Sequence, residues 1–212
     1  CILADGMGGY TGGEIASRLA CVSAADYIKK NFEDGKPYTK EELMQIISDA
    51  MQQANAIVYE KSREEKELEQ MGTTLEICLI YNNRVFIGHI GDSRIYRIRQ
   101  GIMRKITVDH SYVQKLVKDG TITKEEAIHH PKKNMLMKAL GCEEKIEPDI
   151  MVKGFNSNDI ILICSDGLTN MIAEQEIYNI IVENIETATQ NLIKKAKELG
   201  GYDNITVIII KN

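Results

Sequence analysis

The sequence predicts an α+β fold with helices stacked outside antiparallel sheets. A pair of amphipathic helical segments lies near each end of the chain. Between them, apolar runs alternate with turn residues. A polar, irregular stretch interrupts those strands before the last ones begin.

Taken in order, Gly8 to Gly13 is a glycine-rich turn leading into a helix of small and apolar residues, Ile15, Ala16, Leu19, Ala20, Val22 and Ile28. Gly35-Lys36-Pro37 ends it. Thr39-Lys40-Glu41-Glu42 is a capping box, in which a hydroxyl and a carboxylate satisfy early backbone N–H groups. The helix it opens carries the stripe Leu43, Ile46, Ile47, Ala50, Met51, Ala54, Ile57 and Val58, a 3.6-residue period that should cover one sheet face. Glu60 to Glu69 carries on as a solvated end or loop.

From Thr73 to Ile106 the pattern turns to strands. Residues 74–81 and 84–90 flank Asn82-Asn83, a pair able to take the positive φ of a tight hairpin turn. Residues 93–98 and 102–106 flank a turn at Arg99-Gln100-Gly101, so the whole run reads as a β-meander. Residues 109–141 are polar and hold two short helical pieces, 111–118 and one opened by Thr123-x-x-Glu126. This stretch reads as a lid. A hairpin at 150–155 and 160–164, helices at 174–182 and 186–199, a Gly200-Gly201 stop and a strand at 205–210 complete the chain.

The chain has 212 residues, 43% hydrophobic and 27% charged, which suits one domain over 1–212. A net charge of −5 leaves no electrostatic footprint for nucleic acid, and no apolar run is long enough for a membrane span. The five cysteines, Cys1, Cys21, Cys78, Cys142 and Cys164, form no CxxC pair. They read as reduced thiols of a cytoplasmic protein. The chain opens on Cys1, inside what looks like a strand, so an N-terminal piece is expected upstream.

Three acidic strings abut apolar strands: Ala4-Asp5-Gly6 and Ser165-Asp166-Gly167 follow one, and Asp203-Asn204 precedes one. A lone Asp-Gly is most often only a turn. Three at strand ends can converge into a rigid carboxylate cluster. With little His or Cys nearby, such a cluster suits a hard cation such as Mg²⁺ or Mn²⁺. Two such ions can share a bridging water, lower its pKa and aim it in-line at phosphorus.

The strings ADGMGG (4–9), MGTT (71–74), GHIGDSRIYRI (88–98), VDHS (108–111), CSDGL (164–168) and DNITV (203–207) resemble, in order, the metal-dependent Ser/Thr protein phosphatases. The bacterial members of the PPM (type 2C) family are the nearer likeness, and it spans essentially the whole chain. The resemblance implies a four-layer α-β-β-α sandwich of two antiparallel sheets flanked by helix pairs. It implies two Mn²⁺ or Mg²⁺ ions with a possible third. Asp5 resembles the bridging ligand and Gly6 a carbonyl ligand of the second ion. Asp166 and Asp203 resemble the other carboxylates on the first ion, and the three Asp residues would act catalytically through metal-bound water. Asp109 matches a ligand for the third ion. Thr73, Asn204 and His110 are expected beside the cluster, orienting ligands and waters. Asp92 and Arg94 are read as fold-stabilising turn residues.

The family also carries an upstream strand block, with a phosphate-gripping Arg and an acidic pair, that this chain does not include. An edge left exposed there is open to a dimer partner, although a monomer is expected. Met7 stands where eukaryotic relatives have a His. His89 is expected to be packed, and His129, His130, Lys132 and Lys133 to lie on the lid surface.

The expected activity is hydrolysis of phosphoserine and phosphothreonine in phosphoproteins, the products of a Ser/Thr kinase. The alternative is a catalytically impaired relative acting as a binding or regulatory domain. Every ligand position the chain spans is intact, which favours the enzyme. Nucleotide binding by Gly6 to Gly13 has neither a Walker lysine nor GxGxxG spacing behind it.

Overall fold

Two two-residue strands, β1 (Ile2–Leu3) and β2 (Gly6–Met7), lead into the long helix α1 (Gly9–Asn31) in this computed structural model, which describes residues 1–33 and 35–212 but not the Tyr10 side chain. The helix α2 (Lys40–Glu64) starts at the expected capping box. Thr39 N–H donates to Glu42 Oε2 at 2.7 Å and Glu42 N–H to Thr39 Oγ1 at 3.2 Å. Its charged end stays helical to Glu64. A 3₁₀ turn at Lys66–Leu68 then buries Leu68.

The strands β3 (Gly72–Thr73), β4 (Leu75–Tyr81), β5 (Arg84–Ile90), β6 (Arg94–Arg99) and β7 (Ile102–Lys105) follow. Asn82 and Asn83 take φ of 47° and 56°, as the tight turn between β4 and β5 requires. The lid holds α3 (Tyr112–Lys118) and α4 (Lys124–Ile128), the second opened by a capping box at Thr123 and Glu126. Then come β8 (Asp149–Gly154), β9 (Ile160–Cys164), the short α5 (Asp166–Thr169), α6 (Glu174–Glu183), α7 (Ile185–Glu198) and β10 (Val207–Lys211).

These strands form two four-stranded antiparallel sheets, in the orders β1-β4-β5-β8 and β10-β9-β6-β7, with β2 and β3 pairing apart. Strand alternation divides the apolar residues into three layers. Val85 and Ile87 of β5 meet Ile95, Ile161 and Ile163 of the second sheet in the middle of the sandwich. Phe86 and Ile90 face the other way, onto Ile47, Met51 and Ala54 of α2. Tyr96, Leu162 and Cys164 face α6 and α7, where Ile177, Ile181 and Leu192 cover them. Each such fully buried aliphatic side chain contributes about 2 kcal/mol. At Gly88 a Cβ would lie 2.5 Å from Met51 Sδ, so a glycine there lets α2 lie close on the sheet. The α-β-β-α layering is therefore as the sequence predicts.

Two strand pairings differ from expectation. Residues 73–106 are not one meander: β4 and β5 belong to the first sheet, while β6 and β7 belong to the second. The break falls at Gly91, whose φ of +114° and tight approach to Thr74 turn the chain out of one sheet and into the other. Nor do β8 and β9 form a hairpin, since β8 pairs with β5 and β9 lies between β6 and β10. The strand β9 is apolar on both faces, as a central strand covered on both sides should be. Among the described residues, no helix is long and apolar enough to cross a membrane.

Candidate metal centre

The metal-site residues gather at one end of the sandwich, where β1, β9 and the turn between β5 and β6 finish. Asp5 lies between β1 and β2, and its backbone is held from both sides. Its N–H donates to Thr74 Oγ1 at 3.0 Å. Its carbonyl accepts from Thr73 Oγ1 and from Thr74 N–H, both at 2.9 Å. Thr73 thus acts on the main chain of Asp5 rather than on its carboxylate. Thr74, which sequence reasoning passed over, is also bonded to Ser93 Oγ at 2.9 Å. Gly6 packs directly on the Gly13 backbone of α1, where a Cβ would collide. That contact seats the start of the helix against the Asp5 turn.

Asp166 opens α5, two residues beyond the end of β9, and its Oδ2 accepts from Asn170 Nδ2 at 2.9 Å. Gly167 presses on the Asn204 carbonyl with no room for a Cβ, which brings the Asp203-Asn204 loop alongside. Ser165 ties the loop down: its hydroxyl donates to Asn204 O and accepts from Thr206 N–H, each at 3.0 Å. Asn204 contributes its backbone, donating its N–H to Asp203 Oδ1 at 2.8 Å.

The carboxylates feel one another. Burial, with repulsion from Asp166, Asp203 and Asp92, pushes the Asp5 carboxyl up to about 7, and its side chain meets that of Asp166. Burial and the Asp203 charge also raise Asp166, partly offset by Arg94. Asp92 is raised to about 7 by burial and then by Asp166 and Asp109. Sequence reasoning assigned Asp92 to turn chemistry, yet it belongs to this cluster. The signal was present, because Gly91-Asp92 ends the apolar strand β5 just as Asp5 and Asp166 end theirs.

Asp109, expected as a ligand of a third ion, is paired with cations of the chain. It accepts from Arg94 Nη2 at 2.7 Å, from Arg94 Nε at 3.0 Å and from Lys105 Nζ at 3.0 Å. Burial alone would raise its pKa, but the Arg94 and Lys105 charges hold it below the usual carboxylate range. Its oxygens are thus satisfied by cations of the chain itself. Arg94 is fold-stabilising, as expected. His110 meets the cluster only through the Gly91 backbone, and its Nε2 lies 3.4 Å from Asp149 Oδ2. Its Nδ1 accepts from Gly91 N–H at 3.2 Å and its ring stacks on His89, with centroids 4.6 Å apart. His89 is fully buried, and His129, Lys132 and Lys133 are exposed.

Four acidic side chains near enough for their charges to interact, three with raised pKa, form an oxygen-rich site whose charge a divalent cation would neutralise. Among the described residues, no three His, Cys, Asp or Glu side chains stand at ligand spacing. Hard cations of this class keep several waters and need few protein oxygens, so the donor set still fits them. An open cleft of about 910 Å³ adjoins the cluster, lined on one side by residues 4–9 and on the other by 201–206. Asp5 and Asp203 face it, whereas Asp92 and Asp166 lie outside its lining.

Fold and site together define a layered two-sheet protein with a cation-seeking acidic centre at one end. The model of the family "Protein phosphatase 2C" matches residues 1–199. The serine/threonine phosphatase stp of Listeria innocua is 39% identical over 212 residues, covering 99% of this chain and 83% of that protein. Protein phosphatase PhpP of Streptococcus pneumoniae is 38% identical over 211 residues, 99% of this chain and 84% of that one. Among solved structures, the serine/threonine phosphatase PstP/Ppp of Mycobacterium tuberculosis superposes with a TM-score of 0.89 at 35% identity, over 100% of this chain and 88% of that one. The catalytic domain of PstP in complex with two manganese ions gives 0.86 at 35% identity, over 98% and 85%. The chain belongs to the protein phosphatase 2C family.

Proposed function

We propose that this chain is a metal-dependent phosphoprotein phosphatase that hydrolyses phosphoserine and phosphothreonine by direct attack of water, without a phosphoenzyme. The observation that carries the reading is the meeting of Asp5, Asp92, Asp166 and Asp203 at one sheet end, with Arg94 only partly offsetting their charge. The relatives' names support the substrate class, and the manganese in one similar structure supports the metal. A pair of Mn²⁺ or Mg²⁺ ions supplies Lewis acidity at such a site, activating water and neutralising phosphoryl charge.

The chain's own residues divide the work. Asp5, held by Thr73 and Thr74, would bridge the two ions, with the Gly6 carbonyl as a further donor. Asp166 and Asp203, pinned by Ser165 and Asn170, would hold the first ion. Asp92, whose charge interacts with that of Asp166, would add a carboxylate for the third ion expected at Asp109. The phosphoproteins are substrates made by a Ser/Thr kinase, and the proposed setting is the cytoplasm, with the chain acting as a monomer.

The test is hydrolysis of p-nitrophenyl phosphate and of a phosphothreonine peptide with Mn²⁺ added, alongside calorimetric titration of Mn²⁺. Turnover should need the metal, stop with EDTA and resist okadaic acid. Asp5→Asn and Asp166→Asn should each lose metal affinity and at least about 100-fold in kcat, the scale of removing an electrostatic anchor from a reacting site. Full activity in either variant sinks the assignment, and Mn²⁺ binding without turnover in the parent protein selects the regulatory-domain reading.

A further inference from the structure

A charged pair is buried between the two sheets. Glu76 of β4 and His89 of β5 are direct cross-strand partners on the inner face of the first sheet, and both side chains are fully buried. Glu76 Oε1 lies 2.7 Å from His89 Nδ1. His89 Nε2 donates to the Val108 carbonyl at 2.9 Å. With Nε2 carrying a hydrogen, a neutral His89 has only a lone pair at Nδ1. The short contact to Glu76 therefore holds one proton, on the ring or on the carboxyl. Burial raises the Glu76 pKa. Burial pulls His89 down, but the Glu76 charge outweighs it and leaves the ring raised.

Such a pair costs the fold. Its partners in this layer, Leu3, Val85, Ile87 and Ile95, show what fills the space without charge. Glu76 Oε2 has no hydrogen-bond partner among the described residues. Replacing a buried ion pair by apolar residues is often neutral or stabilising, so packing alone does not explain it. What the pair does have is an ordered set of contacts running outward. Val108 leads directly into the lid. The His89 ring stacks on His110 at 4.6 Å and 28°. His110 is bonded twice to Gly91, by its N–H to Gly91 O at 2.7 Å and by Nδ1 from Gly91 N–H at 3.2 Å. Asp92 is the next residue. On its other side His110 accepts Met137 N–H at 2.7 Å, and Tyr112 N–H donates to Met135 O at 2.8 Å. Those two bonds are the stalk on which the lid stands.

We propose that Glu76 and His89 are positioning residues that fix the lid stalk and the Asp92 turn as one rigid unit. The pair touches neither substrate nor the reacting atoms. It orients the His110 ring and the Val108 carbonyl, and through them two parts of the site that come from different loops. The proposal rests on the phosphatase reading for its consequence in catalysis, but not for its structural content.

The test measures amide hydrogen exchange in the metal-free protein together with kcat and KM on a phosphothreonine peptide. Glu76→Leu fills the space but leaves the ring without its partner. Exchange at the Tyr112 and Met137 amides should rise about tenfold, the equivalent of one lost buried hydrogen bond, and kcat should fall by a similar factor. Glu76→Gln can donate its amide to a neutral Nδ1, so it should restore both relative to the leucine variant. Should Glu76→Leu fail to fold, Glu76→Asp, too short to reach Nδ1, should give the same stalk-selective loosening. Wild-type stalk exchange in Glu76→Leu or Glu76→Asp overturns the proposal. So does a rise spread evenly over both sheets, which marks a packing role. A wild-type protein without phosphatase activity would remove the function above while leaving the exchange result to decide the positioning.

Discussion

Asp92 and Asp109 show how a single carboxylate's role depends on its neighbours. Arg94 makes three contacts of 3.2 Å or less to Asp109 and Lys105 adds another, so Asp109 is a counter-ion. Asp92 has other carboxylates for company. Asp109→Asn should therefore weaken the fold by about 2 kcal/mol, allowing for the partial exposure of Arg94. Urea unfolding in EDTA checks this, and Mn²⁺ affinity should be unchanged. A lost manganese site at undiminished stability would return Asp109 to the metal set. Asp5, Asp166 and Asp203 were legible because the first two follow an apolar run and the third precedes one. The pairing of Asp109 was not, because Arg94 lies 15 residues away and reaches it only once β6 has formed.

At the scale of elements, local chemistry could be read from the chain and long-range pairing could not. Both capping boxes and the Asn82-Asn83 turn stand as expected, since each depends on residues within one turn of the chain. The division of four strands between two sheets was hidden, because a hairpin pattern looks the same whichever sheet it joins. One tie holds the sheets at the end away from the acidic cluster. Arg99 of β6 grips Asp159 at 2.6 and 2.8 Å and also donates to Gly154 O at 3.0 Å, at the end of β8. The Arg99 hydrogen bonds depress the Asp159 pKa below its ordinary 3.8. A depressed acid stabilises the fold above its unfolded pKa and loses that contribution as pH falls through the folded value. Asp159→Asn should thus cost about 2 kcal/mol at pH 7. The gap should begin to narrow below about pH 4, where the unfolded carboxyl protonates, and close as pH falls through the lower folded value. Thermal melts across pH check this, and a gap constant down to pH 2 would show that the charge is immaterial.

For the molecule as a whole, the acidic end is the place where a bound cation should matter most to stability. A ligand that binds only the folded chain stabilises it by mass action, about 2.7 kcal/mol at a hundred times its Kd. Manganese should therefore raise Tm in a concentration-dependent way, and an equal ionic strength of sodium chloride should not. Scanning calorimetry across a manganese series checks this, and a flat Tm would count against a preformed acidic centre. The Gly167 contact with Asn204 bears on how the protein is made. It joins the end of β9 to the loop before β10, the last strand of the chain, while Asp5 comes from the first turn. A ribosome-bound chain can assemble α1, α2, β4 and β5 from early residues. Asp203 can reach Asp5 only after nearly all of the chain has emerged. Under the proposed assignment, metal capture would wait for Asp203 to emerge, and a chain clipped before that residue would lack part of the metal centre.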